Sequence, residues 1–257
     1  MDLDRWREFT DVPHTQPTDR FTRAVAFAAD VHWARSRTGS RVPQLAHLLA
    51  VAALVLEDGG DEDEAIAGLL HDVVEGSGQP AADLLERLHA DFGARVAALV
   101  AACAHSTSDR SGSGWSAGRQ HTIDVLADAD PAAARIMLAD ELHNMRCLLT
   151  DLFDHGPGLW DWFNAGRDDQ LWYYAALSEA AGARFRNDRL RREFARTVEQ
   201  LEHVAYSARA PRNPSDWKPA GLPAQRCDDR HRLYGYQCCR AAGHRGLHAK
   251  APRPGDL

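Results

Sequence analysis

No stretch of this 257-residue sequence alternates apolar and polar residues with period two, so no half-buried strand is expected. No apolar run approaches the ~20 residues that a membrane-spanning helix needs, and a membrane role is excluded on that ground. The amino terminus, MDLDRWREFT, has acidic residues and no apolar core of a secretory leader. The expected location is the cytoplasm. Positive charge is also short: 30 Lys and Arg stand against 37 Asp and Glu, for a net charge of −7. No global basic field gathers nucleic acid or an anionic membrane. With 44% hydrophobic and 26% charged residues, the composition remains that of a globular chain able to bury a core.

The charge is uneven. Residues 211–257 hold nine Lys and Arg against four Asp and Glu, whereas the preceding 210 residues hold 21 against 33. The change coincides with a Pro-rich stretch, APRNPSDWKPAGLPAQ, which reads as a linker. The expected organisation is a helical domain over 1–206, a linker over 207–226 and a basic Cys/His tail over 227–257.

What is present in the first two hundred residues is helical period. Phe21, Ala24, Val25 and Ala28 keep a 3.6-residue beat, as do Leu45, Leu48, Leu49, Ala52 and Leu56. Pro43 suits the first turn of that second helix and Gly59-Gly60 its end. Ala65, Ile66, Leu69 and Leu70 mark a helix running into His71. Leu84, Leu85 and Leu88 mark another, and Val96, Leu99, Val100 and Cys103 a third. A Ser/Gly-rich stretch from Ser106 to Gly118 reads as a long loop near a site, followed by an apolar helix from Ile136 to Leu149 and two more striped segments. Cys103 and Cys147 read as buried small hydrophobes. The expected fold is an all-α bundle.

Against this background the adjacent pair His71-Asp72 stands out. Neighbours on a helix point ~100° apart, so they cannot stack but can bracket a metal. His47, inside LAHLLAVAAL, and Asp140, inside ARIMLADELHNM, supply two further ligands of suitable type. Imidazole and carboxylate donors without thiolate suit Mn²⁺, Fe²⁺ or Zn²⁺, and two histidines disfavour Mg²⁺. Each residue alone has an ordinary reading: a core histidine, a helix-end pair, a buried cap. An ionised carboxylate in an apolar helix is nevertheless costly unless it is paired or metal-bound. Glu75 falls one turn beyond His71-Asp72, where a carboxylate can orient or deprotonate water. Asn144 falls one turn beyond Asp140. Arg35, Arg37 and Arg41 form either a solvated basic cluster or a clamp for phosphate oxygens.

The order His47, then HDVVE at 71–75, then LADELHNMR at 138–146 resembles the HD phosphohydrolase superfamily. The flanking text FAADVHWARSRTG, AGLLHDVVE and FGARVAALV narrows the likeness to the RelA/SpoT-type (p)ppGpp hydrolase domain and its small stand-alone relatives, over about residues 20–180. The resemblance implies an HD-domain helical bundle holding one Mn²⁺ through His47, His71, Asp72 and Asp140. It implies hydrolysis of the 3′-pyrophosphate of (p)ppGpp, or of a related nucleotide. Asp72 and Glu75 are then the catalytic carboxylates, Arg37 contacts the nucleotide and Asn144 lies beside the nucleoside. Two positions depart from the family pattern. Gly76 stands where a second acidic residue usually follows Glu75, and Glu141 where lysine is favoured. If Glu141 faces the site, a less phosphorylated substrate is expected. The two departures also motivate an alternative, a nucleotide-binding HD sensor with little or no hydrolysis.

The segment 156–177 is rich in aromatics, among them Trp160, Trp162, Phe163, Trp172, Tyr173 and Tyr174, which read either as core or as a base-stacking lid. In the tail, Cys227, Cys238, His244 and His248 follow a C-x₁₀-C-x₅-H-x₃-H spacing that suits a structural Zn²⁺. The alternative is a disordered basic tail, and a tail partner, whether nucleic acid or protein, is left open.

Overall fold

A computed structural model describes residues 16–37, 40–107, 114–163, 165–184 and 189–207. The linker (but for its first residue, Ser207) and the tail with Cys227, Cys238, His244 and His248 lie outside the described residues, so the zinc expectation has no structural counterpart here. Among the described residues there is no strand. The sole β feature described is one bridge between Ser36 and Pro43.

Among the described residues ten α-helices follow one another: α1 (Asp19–Val31), α2 (Gln44–Glu57), α3 (Glu62–Leu70), the single turn α4 (Val73–Gly76), α5 (Ala81–Phe92), α6 (Ala94–Thr107), α7 (Trp115–Asp128), α8 (Pro131–His155), α9 (Arg167–Arg184) and α10 (Arg189–Ser207). A 3₁₀ segment, Gly156–Trp162, joins α8 to α9. Their ends follow local chemistry. Thr18 and Asp61 cap α1 and α3 by accepting from the backbone N–H groups of Arg20 and Glu64. Glu62, Asp63 and Glu64 in the first turn of α3 complement its dipole. Asp130 caps α8 ahead of Pro131, whose missing N–H costs nothing at the first helical position.

α8 is the central element. It packs on α2, α3, α6 and α10 and buries Ala134, Ile136, Leu138, Leu142, Met145 and Leu148. Its apolar stripe reads clearly in the sequence, but the helix extends a turn or more beyond Ile136–Leu149 at both ends. A charge network fixes its angle to α3. Arg135 donates to Asp58 at 2.9 Å and pairs with Glu64, and Arg95 bonds Glu64 at 3.1 Å and pairs with Asp61. Asp58 also accepts from the Leu190 N–H at 2.8 Å, anchoring the start of α10. These bonds matter because α3 and α8 each carry part of the site.

Four expectations need correction. The long loop from Ser106 to Gly118 is shorter: helix continues to Thr107 and α7 begins at Trp115. The α7 segment has little amphipathic signal of its own, and its packing on α9 through neighbours such as Trp115 and Tyr173 makes it helical. Pro43 is not in the first turn of α2 but caps it, with extended ψ of 140°. Cys147 is only half-buried, whereas Cys103 is in the core. Leu49 belongs to the apolar beat of α2, yet it is 40% exposed while Leu48 is buried.

The aromatic segment is mainly core. Tyr173 and Tyr174 are among the largest fully buried side chains, and Trp160 and Phe163 are buried as well. Tyr174 packs against Phe194 of α10 with centroids 6.5 Å apart. Trp172 is the exposed member.

Candidate metal centre

The site lies where α2, the α3–α4 junction and α8 meet. α3 ends at Leu70, His71 is its C-cap and Asp72 opens the single turn α4. Both residues keep right-handed helical backbone angles. One ligand atom each from His47, His71 and Asp72 lies within 4.8 Å of the others. Asp140 joins from α8, with its Oδ1 3.1 Å from His47 Nε2 and 3.7 Å from His71 Nε2. His71 Nε2 is also 3.4 Å from Asp72 Oδ1. Three residues thus offer mutually close ligand atoms, and Asp140, 93 positions beyond His47, places a carboxylate oxygen against both histidines.

Electrostatics agree with a cation site. Burial disfavours charge on Asp140, but His71, His47 and Arg37 around it outweigh this and hold the carboxyl below the usual carboxylate range. Burial likewise disfavours a charged His71, but Asp72 and Asp140 overcome it and raise its pKa. His47, more deeply enclosed by apolar α2, has its pKa lowered by that burial despite Asp140. Two carboxylates therefore concentrate negative charge beside two imidazoles in a buried setting.

The donor set fits a divalent cation on one further observation. His71 Nδ1 is 2.7 Å from the Gly68 carbonyl. A carbonyl only accepts, so Nδ1 carries a proton, which leaves Nε2 as the ring nitrogen that can ligate. That Nε2 is buried and makes no hydrogen bond within the protein. A buried ring nitrogen without a hydrogen-bond partner, 3.4 Å from Asp72 Oδ1 and 3.7 Å from Asp140 Oδ1, suits a metal ligand.

Around the four residues lies a set of supports, some of which sequence reasoning did not single out. Gln44 Nε2 donates to Asp72 Oδ2 at 2.7 Å. His47 Nδ1 lies 2.9 Å from His143 Nδ1. Asn144 Nδ2 donates to Asp140 Oδ1 at 2.9 Å. Gln44 and His143 are polar residues at half-apolar helix positions, and one helical turn from Asp140 was a signal only for Asn144. His143 is adjacent to Asn144 and at i+3 from Asp140, a spacing that was equally available.

Arg37 and Asn144 are brought together. The backbone bonds Arg37 N–H to Val42 carbonyl at 2.8 Å and Gln44 N–H to Arg35 carbonyl at 2.9 Å fold the loop back on itself. Arg37 is thereby buried, and its Nη2 donates to Asn144 Oδ1 at 3.3 Å. Arg35 and Arg41 remain exposed, so the three arginines do not converge as one clamp. Glu75 is exposed on α4, one turn from His71.

Glu141 does not face this site. It is buried on the other side of α8, where the Tyr173 hydroxyl donates to it and Arg119 Nη1 lies 3.4 Å away. The Arg119 guanidinium also covers the Tyr173 ring at 4.3 Å from its centroid. An anion at 141 therefore answers a buried cation on α7 and does not oppose a substrate, so the expectation of a less phosphorylated substrate loses its basis.

Two histidines and two aspartates from three elements of a helical bundle are thus brought close together. The HD domain family matches residues 24–169, and the chain belongs to that family. A probable guanosine-3′,5′-bis(diphosphate) 3′-pyrophosphohydrolase of Synechocystis is 34% identical over 154 residues, covering 57% of this chain and 18% of the relative. A guanosine-3′,5′-bis(diphosphate) 3′-pyrophosphohydrolase of Aquifex aeolicus is 32% identical over 136 residues, covering 52% of this chain and 18% of the relative. The chain thus spans about a fifth of the length of these curated relatives. Among solved structures, lmo0812 from Listeria monocytogenes superposes with a TM-score of 0.53 at 29% identity, over 60% of this chain and 97% of the other. A metazoan ortholog of SpoT, described as hydrolysing ppGpp, shares the fold with a TM-score of 0.58 at 23% identity, over 72% of this chain and 97% of the other.

Proposed function

We propose that this chain is a Mn²⁺-dependent phosphohydrolase that removes the 3′-pyrophosphate of (p)ppGpp or a closely related nucleotide. The observation that carries the proposal is the cluster of His47, His71 and Asp72 with Asp140 set against both histidines, and Arg37 and Asn144 joined beside it. The activities after which the Synechocystis and Aquifex relatives are named support the substrate class.

His47, His71, Asp72 and Asp140 would hold a divalent cation, which would supply Lewis acidity when bound. The remaining work belongs to side chains. Glu75, exposed on the turn after His71-Asp72, takes the proton from the attacking water. Water oxygen bonds to phosphorus as the bond to the 3′ oxygen breaks and that oxygen takes up a proton from solvent to become the 3′-hydroxyl, releasing pyrophosphate and, from ppGpp, GDP. Arg37 places a fixed positive charge near the phosphates; in the described structure Asn144 accepts from it, and exchange of that bond for a substrate oxygen leaves no charge unpaired. Asn144 keeps its amide bond to Asp140 and so couples substrate position to the metal ligand. A water-soluble nucleotide substrate accords with a cytoplasmic location.

The deciding experiment is incubation of the purified chain with ppGpp, with and without Mn²⁺, following GDP and pyrophosphate. Metal-dependent release of both in equal amounts is expected. Stoichiometric nucleotide binding without turnover, from protein that carries metal, would overturn hydrolysis in favour of a sensor.

A further inference from the structure

We propose that His143 is a positioning residue for the metal centre, acting as the hydrogen-bond acceptor that keeps His47 in the one tautomer able to ligate. The inference rests on the reading of His47, His71, Asp72 and Asp140 as a cation site and assigns a fifth residue to it.

Each of the four candidate ligands has one anchoring bond, and three of those anchors have fixed polarity. The Gly68 carbonyl can only accept from His71, and the Gln44 and Asn144 amide nitrogens can only donate to Asp72 and Asp140. His47 differs, because its Nδ1 faces another imidazole nitrogen, His143 Nδ1, at 2.9 Å. Two nitrogens at that separation share one proton, and either ring can hold it. The ring planes meet at 52° with centroids 4.9 Å apart, so the contact is edge to edge through the nitrogens and not a stack.

The two arrangements differ in consequence. If His143 donates, His47 Nδ1 accepts, and its proton sits on Nε2, aimed at Asp140 Oδ1 3.1 Å away. That nitrogen then has no lone pair for a cation. If His143 accepts, His47 carries its proton on Nδ1 and Nε2 is free to ligate beside Asp140 and His71. Acceptance requires His143 to be neutral with its proton on Nε2. The 2.9 Å contact between the two Nδ1 atoms holds a single proton, so with that proton on His47 the His143 Nδ1 offers its lone pair. Cys147 Sγ, 3.8 Å from the same nitrogen, is at the outer limit of a sulfur contact and competes weakly. An imidazole anchor thus does for His47 what a carbonyl does for His71.

The test uses the full chain stripped of metal and titrated with Mn²⁺, following free Mn²⁺ by electron paramagnetic resonance. His143→Asn offers a side-chain oxygen where Nδ1 stood and is expected to bind Mn²⁺ within a few-fold of the unsubstituted chain. His143→Leu removes the acceptor and is expected to bind about 10–100-fold more weakly, the usual loss for such a support. Equal affinity in His143→Leu would overturn the proposal, while absence of Mn²⁺ binding in the unsubstituted chain would overturn the cation site itself. If His143→Leu fails to fold, ¹⁵N NMR of the Zn²⁺-loaded unsubstituted chain reads the tautomers directly. A proton on His143 Nε2 and on His47 Nδ1 is expected, and a proton on His143 Nδ1 would sink the idea.

Discussion

The imidazole of His32 lies where a side chain at Gly76 would have to go: a Cβ there would come within 2.3 Å of His32 Cε1 and 3.0 Å of both ring nitrogens. The ring is buried, and neither nitrogen has a hydrogen-bond partner in the protein. Glycine at 76 is therefore a packing requirement set by α1, and the missing second carboxylate of the family pattern goes with the placement of a histidine from the opposite side. Gly76→Ala is expected to cost about 1–3 kcal/mol, the usual range for overpacking. Combining it with His32→Ala should recover part of that loss, because the two changes act on one volume. Urea unfolding of the two single variants and the double variant measures the coupling; strict additivity would show that the ring moves aside freely.

His32 also predicts a pH dependence. Burial lowers its pKa from 6.5 to about 4, against the pull of Asp72. Between those values the unfolded chain binds a proton that the folded chain excludes, so stability falls as pH drops from 6.5 toward 4 and is unaffected by this group above 6.5. His32→Asn removes that contribution. The unfolding midpoint should lose less on acidification in this variant than in the parent, and parallel curves would argue against a neutral buried His32.

Asp140 is held ionised by His71, His47 and Arg37. Asp140→Asn keeps the shape and removes the charge that a cation needs. Metal content after gel filtration, measured by mass spectrometry, is expected to drop below about a tenth of the parent, in keeping with the dependence of such sites on deprotonated ligands. Helical content by circular dichroism should persist, since the core of α8 is unaltered.

Glu75 is exposed on the turn that follows His71-Asp72. Glu75→Gln is expected to leave Mn²⁺ affinity unchanged and to reduce kcat for ppGpp by about 10²–10⁴-fold, the ordinary contribution of a general base. An unchanged kcat would move proton transfer to another group.

Glu141 and Arg119 make the contrasting case. Glu141→Leu leaves the Arg119 guanidinium buried against Tyr173 without its anion, at an expected cost of about 3–5 kcal/mol. Metal binding by the folded fraction should not change. A lowered melting temperature with parent-like Mn²⁺ affinity would confirm that this carboxylate supports α7–α9 packing; weaker Mn²⁺ binding would bring it back toward the site.

Much of this molecule is legible in the residues themselves. Apolar period 3.6 marks α1, α2, α3, α5, α6 and α8, because burial on one face is a local property of spacing. His47, His71-Asp72 and Asp140 stand out because polar ligand types in apolar helices are expensive without a partner. α7 was hidden, since its helical state depends on α9 packing against it and not on its own stripe. The Ser106–Gly118 stretch looked longer as a loop for the same reason.

Sequence by itself determined the helical class, the chemistry of the four candidate ligands and the presence of Glu75 and Asn144 one turn beyond them. Tertiary structure decided which way each side chain looks. Asp140 and Glu141 are neighbours in sequence, yet the first faces two histidines and the second a buried arginine. Adjacent residues on a helix diverge by ~100°, so what each one meets is set by the elements packed on either side. The same holds for His143 against His47 and Gly76 against His32: each contact joins elements distant in sequence, and only the packing of those elements brings them together.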